Sequence, residues 1–101
     1  MKPVAIAHPA EIEVADAAVA YERTRPGLGR GFLDDVRTTA RNVSRVPDGA
    51  TEVSGGIRSA ATLHHPFRLI YRERSDEIEV LAVISIPADP EQLFARLASW
   101  A

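Results

Sequence analysis

The strongest constraint on this chain is a change of hydrophobic period at Pro47-Asp48-Gly49. Before it, apolar residues recur every three or four positions, the spacing of a helix that buries one face. After it they alternate, as in strands. A chain that is helical first and β afterwards cannot be a doubly wound α/β sheet. It points to α+β, with helices laid on one face of a sheet.

Within the first half, Met1 to Ala7 reads as a short strand, stopped by His8-Pro9. Proline suits the first turn of a helix, where its missing N–H would go unpaired anyway. The spacing predicts a helix over Pro9 to Arg23, with Ala10, Val14, Ala17, Ala18 and Tyr21 on one stripe. Ile12, Ala15 and Val19 form a second, narrower stripe on the far side. A helix apolar on two faces is either sandwiched within its domain or partly covered by a partner. Arg25-Pro26-Gly27-Leu28-Gly29 is a turn. The second helix is predicted over Leu28 to Val46, with Leu28, Phe32, Val36, Thr39, Val43 and Val46 inward and Arg30, Arg37, Arg41 and Arg45 opposite. Two helices joined so closely make an antiparallel hairpin.

In the second half, Gly55-Gly56 signals a turn or bulge, and Ile57 to Leu63 reads as a strand. Phe67, Leu69 and Tyr71 alternate with Arg68, Ile70 and Arg72, and Arg74 to Glu77 supplies a hairpin connection. Ile78 to Ile86 is β-branched and apolar on both faces, as a central strand would be. Asp89-Pro90 resembles a cap and first helical position, with Leu93, Phe94, Leu97 and Trp100 on the apolar edge of a last helix. The expected order is β-α-α-β-β-β-α, a helical hairpin packed on a mainly antiparallel sheet. At 101 residues the chain reads as one domain, 1–101.

Composition removes several classes of function. With no cysteine there is no disulfide framework, thiol nucleophile or thiolate zinc site. The formal net charge of -2 argues against avid nonspecific nucleic-acid binding, and no direct sequence-specific binding is expected. No apolar run is long enough to cross a bilayer, and the first residues do not resemble a secretory signal, so a cytoplasmic location and no membrane partner are expected.

The candidate chemistry is sparse. On a regular strand His64 and His65 would point to opposite faces and could not share a metal, so no metal site is expected and His65 reads as a half-exposed edge residue. No serine lies in a nucleophile elbow, and Gly27-x-Gly29-x-Gly31 follows a helix rather than the strand that a phosphate loop needs. Asp34 and Asp35 read as solvated or paired with Arg30 or Arg37. Arg68, Arg72 and Arg74 fall at even offsets, hence on one sheet face, either paired with Glu77 or Glu79 or forming an anion- or partner-binding surface. No cofactor is expected.

Several segments, in order, resemble one family. Pro26-Gly27-Leu28-Gly29-Arg30-Gly31-Phe32-Leu33-Asp34 is similar to the inter-helix segment of ParE-type toxins, with Glu13-Val14, Ala17 and Tyr21 before it and Pro47 and Gly55-Gly56-Ile57-Arg58 after it. Pro66 to Arg72 resembles the family's aromatic–Arg strand, Val80 to Ile84 its central strand and Asp89-Pro90 its closing element. The resemblance implies the RelE/ParE-like fold and the toxin half of a type II toxin–antitoxin, or plasmid stabilisation, pair. RelE-like members cleave mRNA on the ribosome; ParE-like members poison DNA gyrase without a catalytic triad of their own.

The departures favour the second branch. The family's frequent His falls at Ser85 and its frequent Arg at Ala88, which leaves Arg68 alone at a position where RelE-like enzymes place a functional arginine. Metal-free RNA cleavage needs a proton acceptor and several cations, whereas the C-terminal half holds five Arg against seven acids. The resemblance therefore implies inhibition by binding, with no catalytic residues, DNA gyrase as target and a ParD-like antitoxin as partner. Ile12, Val19, Arg58, Arg68 and Arg72 are the expected antitoxin or target contacts. The alternatives are a RelE-like endoribonuclease, or a degenerate binding module of the same fold.

Overall fold

The computed structural model describes residues 1–86. The elements are β1 (Val4–Ile6), α1 (His8–Thr24), α2 (Leu28–Arg45), β2 (Thr51–Ser54), β3 (Ile57–Ala61), β4 (Phe67–Glu73) and β5 (Ile78–Ser85). The strands form one sheet in the order β1-β5-β4-β3-β2. Pairing is antiparallel from β2 through β5 and parallel between β5 and β1. The α+β class, the hairpin and the mainly antiparallel sheet follow the expectation. Two details differ. Four strands follow the hairpin rather than three, because Thr51–Ser54 pairs with β3, and the middle of the sheet is β4, with β5 interior beside it. The expected helix beginning at Asp89-Pro90 lies outside the described residues.

The hairpin is built by one carboxylate and one close approach. Gly27 takes a left-handed conformation (φ 93°) at the start of α2. The Glu22 carboxylate, from the last turns of α1, accepts from the N–H groups of Gly27 (3.0 and 3.1 Å) and Gly29 (3.1 Å). A helix N-terminus leaves such N–H groups without partners and favours negative charge, so Glu22 caps the next helix from the previous one. At Gly29 the helices nearly touch: a Cβ there would lie 2.6 Å from the Ala18 carbonyl oxygen.

The core lies between hairpin and sheet. Ala10, Phe32, Val36 and Val43 pack against Leu69, Tyr71, Ile78, Val80 and Val83. Each large side chain buried there is worth about 1.5–3 kcal/mol. The far face carries a second cluster of Ile57, Ile70, Leu81 and Ala82. One irregularity lets β5 serve both faces. Ile70 pairs with Ala82 but Tyr71 with Val80, which leaves Leu81 as an extra residue on β5. Val80 and Val83 therefore both face the helices although they are three apart. At the opposite edge, Gly55 (φ 47°) and Gly56 (φ 84°) make the left-handed two-residue turn that joins β2 to β3.

Candidate functional site

The five expected contact residues fall on three separate surfaces. Ile12 and Val19 stand on the outer face of α1, 48% and 49% exposed, while Ala10, Val14, Ala17, Ala18 and Tyr21 turn inward. The second stripe of α1 is therefore uncovered. Beside it, Ala18, Val19, Glu22, Gly29, Arg30 and Leu33 line a shallow groove of about 250 Å³ between the two helices. The groove exists because Gly29 lets α2 sit so close to α1.

Arg58 lies elsewhere. It pairs across the ladder with Tyr71, whose ring is in the helix-side core, and its guanidinium donates to the carbonyls of Ala50 (2.7 Å) and Asp48 (3.4 Å). The Tyr71 hydroxyl donates to the Pro47 carbonyl at 2.7 Å, and burial pushes this phenol up from its ordinary pKa. Arg58 and Tyr71 thus hold the connection between α2 and β2. Arg58 is engaged with backbone and does not join the other arginines.

Arg68 and Arg72 sit on the face of β4 away from the helices, in register with Ala61 and Ile57. Arg72 donates to Glu79 at 2.7 Å, and Arg74 reaches the same oxygen at 3.4 Å. Arg68 donates to the Ser59 hydroxyl at 3.3 Å. Of the two readings of this set, pairing with Glu79 describes Arg72 and Arg74. Arg68, which makes no ion pair among the described residues, keeps its charge available.

Asp35 corrects the sequence reading. Asp34 is exposed and pairs with Arg37 at 3.6 Å, as expected, but Asp35 is buried at 4% exposure. Its carboxylate accepts from the N–H groups of Leu63 (2.9 Å) and His64 (2.8 Å) and meets His65 Nδ1 at 2.7 Å. Burial alone would raise this carboxyl's pKa. The hydrogen bonds from His65, His64 and Leu63, with the attraction of His65, outweigh burial and hold it below the ordinary value.

The histidines lie in the loop between β3 and β4 rather than on a strand. His64 is exposed, and the His65 side chain is only 18% exposed. The His65 ring packs edge-on against Tyr21 (5.1 Å) and Phe32 (5.5 Å), and Phe67 packs against Phe32 with centroids 4.8 Å apart and ring planes inclined at 57°. An imidazole oriented by a carboxylate can serve acid–base chemistry. Here the other bonds of the carboxylate go to loop N–H groups, so its work is to clasp that loop to α2. The sequence did carry a signal: Asp35 sits four residues before Thr39 and beside Val36, on the inward arc of α2.

Two further grooves flank α2. One, of about 300 Å³, runs along Val43, Val46, Ala60 and Leu63, with Val46 and Leu63 more than half exposed. The other, of about 280 Å³, has a floor of Val4, Val36, Leu69, Val80 and Val83, with Arg37 and Arg41 among its lining. Among the described residues no group of three or more His, Asp or Glu could hold a metal ion, and no helix is long and apolar enough to cross a membrane.

No family model and no curated protein matches the chain. Among solved structures, a chain of the chromosomal ParDE TA system from P. aeruginosa superposes with a TM-score of 0.75. The match covers 85% of this chain and 97% of that one, at 18% sequence identity. The likeness is one of fold, and it extends over nearly the whole of the matched chain.

Proposed function

We propose that this chain is the ParE-like toxin of a type II toxin–antitoxin pair, a cytoplasmic protein that inhibits DNA gyrase by binding it and is neutralised by a ParD-like antitoxin. The observation that carries this reading is the superposition on a chain of the ParDE system over 85% of this chain and 97% of that one. The surfaces agree with a protein that works by contact. Apolar residues are exposed on α1, apolar grooves flank α2, and Arg68 presents a guanidinium free of carboxylate partners among the described residues.

On this reading the candidate contacts divide. Ile12 and Val19 offer an apolar strip, Arg68 and Arg72 offer forked donors for a carboxylate or phosphate on gyrase or the antitoxin, and Arg58 shapes the loop after α2. The test is a gyrase supercoiling and DNA-cleavage assay with purified, antitoxin-free protein. Stabilised cleavage complexes are expected. A folded protein that leaves gyrase untouched removes the target. Ribosome-dependent cleavage of a reporter mRNA, abolished by Arg68→Ala, would replace the reading with an endoribonuclease.

A further inference from the structure

We propose that residues 87–101 cover the sheet face opposite the hairpin, with Leu93, Phe94, Leu97 and Trp100 seated on Ile57, Ile70, Leu81 and Ala82. The argument starts from a burial that residues 1–86 do not account for. Ile70 and Ala82 are 0% and 1% exposed, and Ile57 and Leu81 are buried beside them. Yet Phe32, Val36 and Val43 of the hairpin pack on the other face, against Leu69, Tyr71 and Val80. The connection after α2 is held on that same side through Tyr71 and Arg58, and the loop between β3 and β4 through Asp35. Among the described residues, Val53 and Ile84 are the partly buried hydrophobics packed against the far cluster. A sheet with one face in water carries polar residues there, and apolar side chains standing on it keep wet tips. A dry cluster calls for a second layer.

The chain beyond position 86 has the origin, length and pattern for that layer. It leaves from β5, an interior strand that contributes Leu81 and Ala82 to the cluster. A helix from Pro90 to Trp100 would measure about 16 Å, within the roughly 23 Å that the seven residues of β4 span. On it Leu93, Leu97 and Trp100 fall four and three residues apart with Phe94 beside them, one apolar stripe. The grooves beside α2 are the rival seats, but Val46 and Leu63 stay more than half exposed at one and Ile6 more than a third at the other. The far cluster is the one already dry. Arg72 pairs with Glu79 at its margin and keeps 36% of its side chain exposed, so the arginines stand at the rim of the covered area. Neither gyrase nor an antitoxin enters the proposal, which does not depend on the toxin reading.

The test uses the full chain, in which Trp100 is the single tryptophan and there is no cysteine. Trp100 emission should lie to the blue of free tryptophan and resist quenching by iodide. Val53→Lys and Ile84→Lys, at the partly buried border of the cluster, should shift the emission toward its value in water with circular dichroism unchanged. A second measurement places the segment without disturbing the cluster. Thr51 is exposed and in register with Ser59, which shares the far face with Ile57, whereas Arg37 is exposed on α2 beside a rival groove. A nitroxide on Thr51→Cys should broaden the Trp100 indole N–H resonance, and one on Arg37→Cys should leave it sharp. Trp100 as solvated as free tryptophan overturns the proposal. So does an indole signal left sharp by the label on Thr51→Cys, and broadening from Arg37→Cys instead would move the segment to the groove beside α2.

Discussion

Asp35 is the residue on which the most local structure hangs. One carboxylate satisfies two loop N–H groups and an imidazole while buried under α2. Asp35→Ala would strand those donors, at a cost of about 3 kcal/mol, a large share of a small domain's stability. A fall in melting temperature of more than about 10 °C is expected, read by calorimetry. The acid limb of stability has a definite sign. Because the native state holds this carboxyl below its unfolded pKa, the unfolded chain binds the extra proton as pH falls. The contribution is complete above the ordinary aspartate value near 4 and is lost as pH drops through the lower native value. Urea melts between pH 5 and pH 2 should show a shallower decline for Asp35→Asn than for the native chain. Equal slopes would mean that other carboxylates govern the acid limb.

At the scale of elements, two glycines only two residues apart in sequence separate packing from propensity. Gly29 faces α1, where a Cβ would meet the Ala18 carbonyl at 2.6 Å, whereas a Cβ at Gly31 would meet nothing within 4 Å beyond its own turn of helix among the described residues. Gly29→Ala should therefore destabilise by about 1–3 kcal/mol through forced separation of the helices. Gly31→Ala should stabilise by up to about 1 kcal/mol, because it removes only the entropic penalty of glycine in a helix. Chemical denaturation of both variants checks the contrast, and equal effects would contradict the close approach. The hairpin itself was legible, since Phe32, Val36, Thr39 and Val43 carry the period and Pro26-Gly27 the break. Three features were not. Thr51–Ser54 is short, and Val53 is its one large apolar residue, so it gives too little alternation to mark a strand. The extra residue at Leu81 preserves an unbroken β-branched run while changing which members face the helices. The Asp35–His65 clasp joins residues thirty apart, and only the path of the chain brings them together.

For the whole molecule, the sheet divides the work between its faces. The helix side is sealed by the larger core and by the clasps at Asp35, Tyr71 and Arg58. The other face presents Arg68 and Arg72 around Ile57 and Ile70. Residues that hold the fold and residues that can meet a partner are thus largely separable, which makes a surface test clean. Arg72 and Glu79 form a partly exposed pair, and such pairs contribute about 0–1 kcal/mol. Arg68→Ala with Arg72→Ala should accordingly leave the circular dichroism and cooperative unfolding of the chain in place. If this face meets gyrase or the antitoxin, arginines buried at the centre of an interface commonly cost 2 kcal/mol or more each when truncated, about thirtyfold in affinity. The double variant should then lose growth inhibition on expression without antitoxin, or lose antitoxin affinity by at least that factor. Arg58→Ala should instead lower stability, because its guanidinium holds the Ala50 carbonyl rather than a partner. A double variant as toxic and as tightly neutralised as the native chain would move the contact surface off this face of the sheet and onto the grooves beside α2.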